Sequence, residues 1–302
     1  MNESVLQDKC CYAYKAKVKI NGKMNYREMW TRLSPLYGDA EAKAIVSYVL
    51  DVRYGMTMSD ILCGGVDSLP QEQQVDLQTI MDRLLCAEPV QYVLGRAEFG
   101  GRWFHVAPGV LIPRPETEQL CQWITEDWNG ISSPKLLDVG TGSGCIAITL
   151  ALDLPQAEVS AIDISQQALD IAQANARRLL ANVAFRQDDA LALKPQSDQW
   201  QIVVSNPPYI CNKEKVAMND NVLRYEPHIA LFVPDDDPLR FYRAIARYAS
   251  ASLVSGGALY YEINPVYAEQ MGELLKEMGF TKVVVKQDMF GKQRMMKAVI
   301  EK

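Results

Sequence analysis

The chain has 302 residues, of which 48% are hydrophobic and 23% are charged, and its formal net charge is −6. This length exceeds that of one typical domain, so we expect a large domain with a smaller one. The negative charge argues against a protein that holds nucleic acid through a global positive field. There is no signal-peptide pattern and no stretch near the roughly 18 apolar residues of a membrane span, which predicts a cytoplasmic protein without a membrane contact.

The cysteines give a further exclusion. Seven of them are scattered along the chain, with no CxxC pair and no cluster with the two histidines. This pattern predicts reduced thiols and disfavours both a disulfide framework and a metal site.

The first 23 residues differ from the rest of the chain. Residues 1–23 contain five lysines and no clear apolar period, which predicts a loosely packed or disordered extension. A basic arm for a nucleic-acid or membrane surface is the alternative interpretation. Met24 is a candidate for the natural start.

Residues 24–88 have a helical pattern and contain nothing that looks catalytic. Leu77 and Leu84 fall on one face of the last helix. Ser68, followed by Gln71, predicts a capping box at the start of that helix. We interpret the segment as a small helical domain that docks the substrate.

Residues 89–112 predict a β-hairpin linker that turns at the glycine pair Gly100-Gly101. A proline-braced stretch, residues 111–118, then leads into a helix. This helix belongs to the large domain, residues 113–302.

The large domain begins with an apolar strand, a glycine turn and an apolar helix over residues 135–148, as doubly wound α/β folds do. Glycines at 140, 142 and 144 let the backbone approach a ligand closely, because no Cβ atom stands in the way. The spacing is G-x-G-x-G, whereas the dinucleotide fingerprint requires glycine where this chain has Cys145. This difference disfavours a nicotinamide dinucleotide.

Polar residues follow the next two predicted strands. The strand over residues 158–162 ends at Asp163, whose carboxylate can accept hydrogen bonds from both hydroxyls of a ribose. The strand over residues 183–186 ends near Asp189. Each acid alone is typical of a solvated strand end. Together they indicate a binding site, because the carboxyl ends of parallel strands share the edge where such sheets bind ligands.

The fourth strand, residues 201–205, runs into Asn206-Pro207-Pro208-Tyr209. Neither proline has an N–H to donate, so this strand end presents two acceptors, the Asn206 side-chain oxygen and the Pro207 carbonyl. A planar NH2 group with two N–H donors fits that arrangement. A Pro-Pro turn that leaves a strand is the alternative for the tetrapeptide alone.

With these motifs the chain resembles the HemK family, the S-adenosylmethionine-dependent glutamine-N5 methyltransferases of peptide-chain release factors. The resemblance covers most of residues 25–302, and the second and fourth of its motifs are the most specific. The motifs are Glu88-Pro89-Val90-Gln91-Tyr92, Leu111-Ile112-Pro113-Arg114-Pro115-Glu116-Thr117-Glu118, the 138–144 loop, Asn206-Pro207-Pro208-Tyr209, Tyr225-Glu226-Pro227 and Asp288-x-x-Gly291-x-x-Arg294.

The resemblance implies an α/β fold, namely a doubly wound, mixed seven-stranded methyltransferase sheet with a small N-terminal helical domain and a connecting β-hairpin. It also implies methyl transfer from S-adenosylmethionine to the glutamine side-chain nitrogen in the Gly-Gly-Gln loop of release factors. The enzyme is expected to be a monomer that binds no nucleic acid directly. The implied cofactor-binding residues are Gly140, Thr141, Gly142, Ser143, Gly144, Asp163, Asp189, Ala190 and Asn206.

The implied catalytic residues are Asn206, Pro207 and Tyr209, and Pro208 joins them in binding the substrate. The two acceptors would hold the acceptor nitrogen towards the methyl group, and Tyr209 would pack against the flat amide. One departure from the family is Ala190, which stands where an aromatic residue often helps to form the adenine pocket.

Three other functions remain open from the sequence. An adenine or guanine exocyclic amine presents the same two donors, although nucleobase methyltransferases usually have a basic groove that an acidic chain does not suggest. The glutamine of a ribosomal protein is a further possible acceptor. A binding module without activity is the third, and the intact glycine loop, Asp163 and Asn206 disfavour it.

Overall fold

The computed structural model describes residues 24–302, so the prediction for residues 1–23 lies outside the described residues. Two compact units are present. The first contains the described residues up to Gly95 together with Asn219–Tyr225, and the second contains Arg96–Met218 and Glu226–Lys302.

The first unit is helical, as predicted. Its elements are α1 (Tyr26–Tyr37), α2 (Asp39–Tyr54), α3 (Met58–Leu62), α4 (Gln71–Leu84), α5 (Val90–Leu94) and α9 (Asp220–Tyr225). Asn25 starts α1 with a capping box. The Asn25 side chain accepts from the Glu28 N–H, and the Glu28 carboxylate accepts from the Asn25 N–H. Leu33, Leu50 and Leu84 are fully buried in one apolar core.

The start of α4 differs from the prediction. Leu77 and Leu84 are buried as expected. However, the residue before the helix is Pro70, which has no side chain to cap it. The Ser68 hydroxyl instead donates to the Gly64 carbonyl at 3.3 Å in the preceding turn. The predicted capping box is therefore wrong, because the helix begins two residues later than a cap at Ser68 requires.

The second unit alternates strands and helices. Its strands are β1 (Arg96–Phe99), β2 (Arg102–His105), β3 (Lys135–Val139), β4 (Glu158–Asp163), β5 (Val183–Gln187), β6 (Trp200–Ser205), β7 (Ile210–Cys211), β8 (Phe232–Val233), β9 (Leu253–Glu262), β10 (Phe280–Gln287) and β11 (Gln293–Ile300). Its α-helices are α6 (Pro115–Trp128), α7 (Cys145–Asp153), α8 (Gln166–Leu179), α10 (His228–Leu231), α11 (Arg240–Ser252) and α12 (Ala268–Glu277).

Seven of these strands form one mixed sheet in the order β10-β11-β9-β6-β3-β4-β5. The five strands from β9 to β5 are parallel, and β11 is antiparallel to both of its neighbours. The predicted doubly wound, seven-stranded α/β fold is confirmed.

Alternation along the strands divides the core into two layers. Leu136 of β3 packs in a cluster with Leu120 of α6 and Ile148 of α7. The next residue, Leu137, packs in a second cluster with Ile245 of α11 and Met271 of α12. Because successive strand side chains point to opposite faces, helices cover both sides of the sheet. The carboxyl edge between the two layers is left for loops.

The hairpin β1–β2 turns at Gly100 and Gly101, as predicted, with φ values of 57° and 71°. Asn175 of α8 holds its end. The Asn175 side chain accepts from the His105 N–H at 2.7 Å, and it donates to the carbonyls of His105 and Ser143, each at 2.9 Å. This buried side chain therefore joins the hairpin to the glycine loop.

The described cysteines are mostly isolated. Cys63, Cys121, Cys145 and Cys211 are free thiols, as predicted. Cys86 is disulfide-bonded, so the prediction of reduced thiols is wrong for this residue, because the spacing of scattered cysteines carries no signal for a single bond.

Within residues 24–302 no cluster of His, Cys, Asp or Glu side chains could hold a metal ion. The helices of this part of the chain are too short or too polar to cross a membrane.

Candidate active site

A cavity of about 250 Å³ opens in the second unit, at the carboxyl ends of β3, β4, β5 and β6. Most of the residues predicted for the site line it. These are Gly140, Thr141, Gly142, Ser143, Asp163, Asp189, Ala190, Asn206, Pro207 and Pro208. Two of the predicted residues, Gly144 and Tyr209, do not line the cavity.

The three loop glycines do different work. Gly140 and Gly142 have φ values of 80° and 54°, and a Cβ atom on either would meet no atom of the protein within 4 Å. These two positions therefore leave space for a ligand close to the backbone. At Gly144 a Cβ atom would lie 2.8 Å from Ile148 Cδ1 and 3.1 Å from Ala172 Cβ. Gly144 thus allows α7 and α8 to pack closely.

Asp163 ends β4 with its carboxylate held by backbone amides. Oδ2 accepts from the Gly142 N–H and Oδ1 accepts from the Ser165 N–H, each at 2.9 Å. Each carboxylate oxygen can accept a second hydrogen bond, so both remain available to a diol. Burial raises the pKa of Asp163, against the opposing effect of the Ser165 and Gly142 amides.

A second acid, Asp138, supports the glycine loop through a hydrogen bond to Thr141. It is fully buried in β3, and its Oδ2 accepts from the Thr141 hydroxyl at 2.7 Å. Burial raises the pKa of Asp138 to about 7, and the hydrogen bond from Thr141 opposes the shift only in part. Asp138 does not line the cavity, so it shapes the loop without touching a ligand there.

The wall between the ends of β4 and β5 is aliphatic where the family often has an aromatic ring. Ile164, Ala168, Ala190 and Leu191 line the cavity here. Asp189 braces the turn, since its Oδ1 accepts from the Leu191 N–H at 2.8 Å. Among the described residues, aliphatic side chains and no aromatic ring therefore form this part of the cavity wall.

At the end of β6, Asn206 faces both the cavity and α6. Its Nδ2 donates to the Thr117 hydroxyl oxygen at 3.3 Å. The Thr117 hydroxyl in turn donates to Glu262 Oε2 at 2.5 Å. One residue earlier, the Ser205 hydroxyl donates to the Val139 carbonyl at 2.6 Å and ties the end of β6 to β3. The Asn206 side-chain oxygen is left on the side of the amide away from Thr117.

Tyr209 lies behind this strand end. Its hydroxyl donates to Glu262 Oε1 at 2.8 Å, and its carbonyl accepts from Asn264 Nδ2 at 3.1 Å. Burial and the neighbouring Glu262 carboxylate raise the pKa of Tyr209 well above its ordinary value. Tyr209 is therefore a neutral donor that braces Glu262.

Two of the quoted motifs, far apart in sequence, meet beside the cavity. Glu226, which is 4% exposed, accepts from the Ile112 N–H at 3.1 Å. It also forms an ion pair with Arg114 at 2.5 Å, and Arg114 lines the cavity. Glu226 is thereby joined to the Leu111–Glu118 stretch beside the cavity.

Sequence reasoning missed three residues of this region. Thr117 lies inside a quoted motif but was given no role. Glu262 ends β9, so the strand-end rule that found Asp163 could also have found it. Asn175 lies in the middle of α8, where nothing in the sequence separates a buried polar residue from an exposed one.

Two family models match the chain. The methyltransferase small domain matches residues 116–225, a stretch that holds the glycine loop, Asp163 and Asn206. The PrmC N-terminal domain matches residues 35–95, which belong to the helical first unit.

Curated relatives match over most of their length. The release factor glutamine methyltransferase of Bacteroides thetaiotaomicron is 45% identical over 267 residues, which are 88% of this chain and 95% of the relative. The enzyme of the same name from Flavobacterium psychrophilum is 40% identical over 277 residues, or 90% and 97% of the two chains. A solved methyltransferase structure from Pyrococcus furiosus is 14% identical, with a TM-score of 0.49 over 77% of this chain and 100% of that chain. On the two sequence matches, the chain belongs to the release factor glutamine methyltransferase family.

Proposed function

We propose that this protein transfers a methyl group from S-adenosylmethionine to the side-chain nitrogen of the glutamine in the Gly-Gly-Gln loop of peptide-chain release factors. The observation that carries the proposal lies at the end of β6. The Asn206 amide and Pro207 line the cavity, and the Asn206 Nδ2 is engaged by Thr117. Two oxygen acceptors are thereby available to the two N–H donors of a carboxamide. Membership of the family supports a release factor as the protein that supplies it.

The cavity suits S-adenosylmethionine by the chemistry of its walls. The Asp163 oxygens would accept the two ribose hydroxyls, and the aliphatic side chains of Ile164 and Leu191 would cover the adenine. The space above Gly140 and Gly142 would take the amino-acid part of the cofactor. When bound, the cofactor supplies a methyl group on a positively charged sulfur.

The protein's contribution at the acceptor nitrogen is orientation. A carboxamide nitrogen is a poor nucleophile because its lone pair is delocalised into the carbonyl group. Asn206 Oδ1 and the Pro207 carbonyl would each accept one N–H, hold the nitrogen in place and favour its pyramidal form as the new bond develops. The nitrogen becomes acidic only as the methyl arrives, so a strong base is not needed. Consistent with this, no histidine lines the cavity among the described residues.

The remaining parts of the proposal concern context. The two glycines of the acceptor loop would let it reach Asn206 without side-chain obstruction. The net charge of −6 supports a protein acceptor over a nucleic acid. We accordingly place the protein in the cytoplasm, acting as a monomer on translation termination with no direct need for nucleic acid or membrane. Contact between the Tyr209 ring and the acceptor amide stays a prediction.

The test is methyl transfer to matched acceptors. The full chain would be incubated with methyl-labelled S-adenosylmethionine and one of three acceptors: a release factor, the same release factor with glutamate in place of the loop glutamine, or total ribosomal RNA and ribosomal proteins. We expect mass spectrometry to find one added methyl on the loop glutamine of the intact release factor alone. Equal labelling of the glutamate variant, or stronger labelling of RNA or a ribosomal protein, would overturn the proposal.

A further inference from the structure

We infer that Glu262 is a positioning residue that sets, through Thr117, the direction in which the Asn206 amide faces. The inference rests on the proposed function, since it explains how the side-chain oxygen of Asn206 is kept available to the acceptor. It names two residues, on β9 and α6, that the sequence motifs did not assign.

Glu262 is placed to hold two hydroxyl groups at once. It ends β9 and is 2% exposed. Its Oε2 lies 2.5 Å from Thr117 Oγ1, and its Oε1 lies 2.8 Å from the Tyr209 hydroxyl. Thr117 is equally buried at 2% exposure. Bulk water therefore does not compete for these hydrogen bonds.

Asn206, Thr117 and Glu262 form a hydrogen-bonded series that we call the relay. The direction of its hydrogen bonds follows from the number of protons that the three side chains can donate. An ionised carboxylate has no hydrogen to donate, so each hydroxyl that contacts it must be the donor. The single proton of the Thr117 hydroxyl is then committed to Glu262, and the Thr117 oxygen can only accept. Its partner at 3.3 Å on the Asn206 amide must therefore be the NH2 end.

This requirement leaves the carbonyl end of Asn206 for the acceptor. A flipped amide would set Asn206 Oδ1 against the Thr117 oxygen, two acceptors with no proton between them. A lost hydrogen bond with an unsatisfied buried group gives a preference of about ten- to a hundredfold for the unflipped orientation. In the flipped state the Asn206 amide would present its N–H groups to the N–H groups of the substrate glutamine. The site could then not bind the glutamine productively.

The surroundings of Glu262 decide whether the carboxylate is ionised. Burial raises the pKa of Glu262, and the nearby Glu116 acts in the same direction. The hydrogen bonds from Thr117 and Tyr209 and the positive charge of Arg294 oppose that rise. A protonated Glu262 could donate a hydrogen bond to Thr117. The Thr117 hydroxyl would then be free to donate to Asn206, and the orientation of the Asn206 amide would no longer be fixed. The turnover number should therefore fall as the pH drops through the raised pKa of Glu262.

The decisive pair of variants is Thr117→Ser and Thr117→Val. Serine keeps the hydroxyl, and valine replaces it with a methyl group of similar size. We expect the serine variant to keep kcat within about threefold of wild type and the valine variant to lose about ten- to a hundredfold, the size of the orientational preference. The Kd for the cofactor and the KM for the release factor should stay nearly constant in both. Thr149→Val, which removes another buried threonine hydroxyl outside the relay, is the matched control and should match wild type.

Glu262→Gln tests the source of the polarity. A glutamine can donate from its own NH2 to Thr117, so the relay loses its fixed direction. We expect a loss of kcat like that of Thr117→Val, no acid limb in the pH profile of kcat, and a double variant no slower than the slower single one. The inference is wrong if Thr117→Val keeps wild-type kcat, or if kcat, KM and cofactor affinity all deteriorate together with the melting temperature.

A readout without substrate separates this inference from the proposed function. The side-chain NH2 protons of Asn206, assigned in the NMR spectrum by their absence in Asn206→Ala, should exchange faster with water in Thr117→Val than in Thr117→Ser. If the wild-type chain does not label the release factor but this difference is present, the proposed function fails and the relay stands. Equal exchange in the two variants removes the relay, whatever the acceptor is.

Discussion

On the proposed cofactor side of the cavity, defined by the glycine loop and Asp163, the Asp163 carboxylate is held by two backbone amides. On the proposed acceptor side, defined by Asn206, Thr117 and Glu262, the Asn206 amide is held by a series of side chains. Backbone donors keep their polarity whatever the sequence is. A side-chain amide can turn over, so its orientation needs a partner with fixed polarity. We propose that the Glu262 carboxylate, which accepts from the Thr117 hydroxyl, provides that partner.

The comparison predicts that changes on the two sides affect different constants. On the cofactor side a substitution should weaken binding, because in the proposed function the carboxylate would contact the cofactor in its ground state. On the acceptor side a substitution should reduce turnover, because orientation matters most as the new bond forms.

The largest effect is expected at the acceptor side. Asn206→Ala should lower kcat by roughly 10²–10³-fold, by analogy with the loss of a donor that stabilises a transition state. Steady-state kinetics and calorimetry would measure kcat and the cofactor Kd, and the Kd should change little. Asn129→Ala, at an exposed position after α6, is the control. A parallel loss of cofactor affinity would remove the distinction between the two sides.

The next effect is at the cofactor side. Asp163→Ala removes an ionised acceptor whose hydrogen bonds are worth roughly 1.5–3 kcal/mol, so cofactor affinity should fall about ten- to a hundredfold. Calorimetry with S-adenosylmethionine measures this directly. Asp170→Ala, on the exposed face of α8, should bind like wild type. Unchanged affinity in Asp163→Ala would place the ribose elsewhere.

Two glycine variants distinguish a packing position of the glycine loop from a position that leaves space for a ligand. Gly144→Ala places a Cβ atom against Ile148 and Ala172, so it should cost about 1–3 kcal/mol of unfolding free energy by overpacking and left-handed strain. Gly142→Ala has the strain without the clash, and its Cβ atom points into open space. It should lose less stability and more cofactor affinity than Gly144→Ala. Denaturant unfolding with calorimetry distinguishes the two, and the reverse order would contradict the assignment.

The smallest effect concerns Asp138 and pH. Burial raises the pKa of Asp138 from 3.8 to about 7, so between these values the folded protein binds one more proton than the unfolded chain. The unfolding free energy should then fall by about 1.4 kcal/mol for each unit of rising pH, and this loss should end above pH 7.

Asp138→Asn does not titrate, so the same slope should be absent in the variant. Denaturant unfolding of both proteins at pH 5, 6 and 8 measures the difference. The stability of the variant relative to wild type should rise by about 1.4 kcal/mol from pH 5 to pH 6. Parallel curves would show that Asp138 titrates normally in the fold.

The contact between the glycine loop and Asp163 could be predicted because its geometry follows from neighbouring strands. β3 and β4 are parallel and paired, so residues after their carboxyl ends must meet. Asp163 and Gly142 do so although they are 21 residues apart. Periodicity likewise predicted the buried face of α4, which carries Leu77 and Leu84.

The acceptor side could not be assembled in the same way. Asn206 and Thr117 are 89 residues apart, and Thr117 and Glu262 are 145 apart. Their contact depends on the placement of α6 and β9, which no local pattern fixes. The capping box at Ser68 failed for a related reason, since a short motif does not say which residue begins the helix.

Asn175 has a consequence for motion in solution. Its side chain hydrogen-bonds to both backbone groups of His105 and to the carbonyl of Ser143. Exposure of the His105 N–H to water is therefore coupled to movement of the glycine loop at Ser143. Exchange of the His105 amide proton for deuterium therefore reports on the loop from a position outside the cavity. A ligand that rigidifies the glycine loop should slow this exchange, while the amides of the exposed hairpin turn should keep their exchange rates.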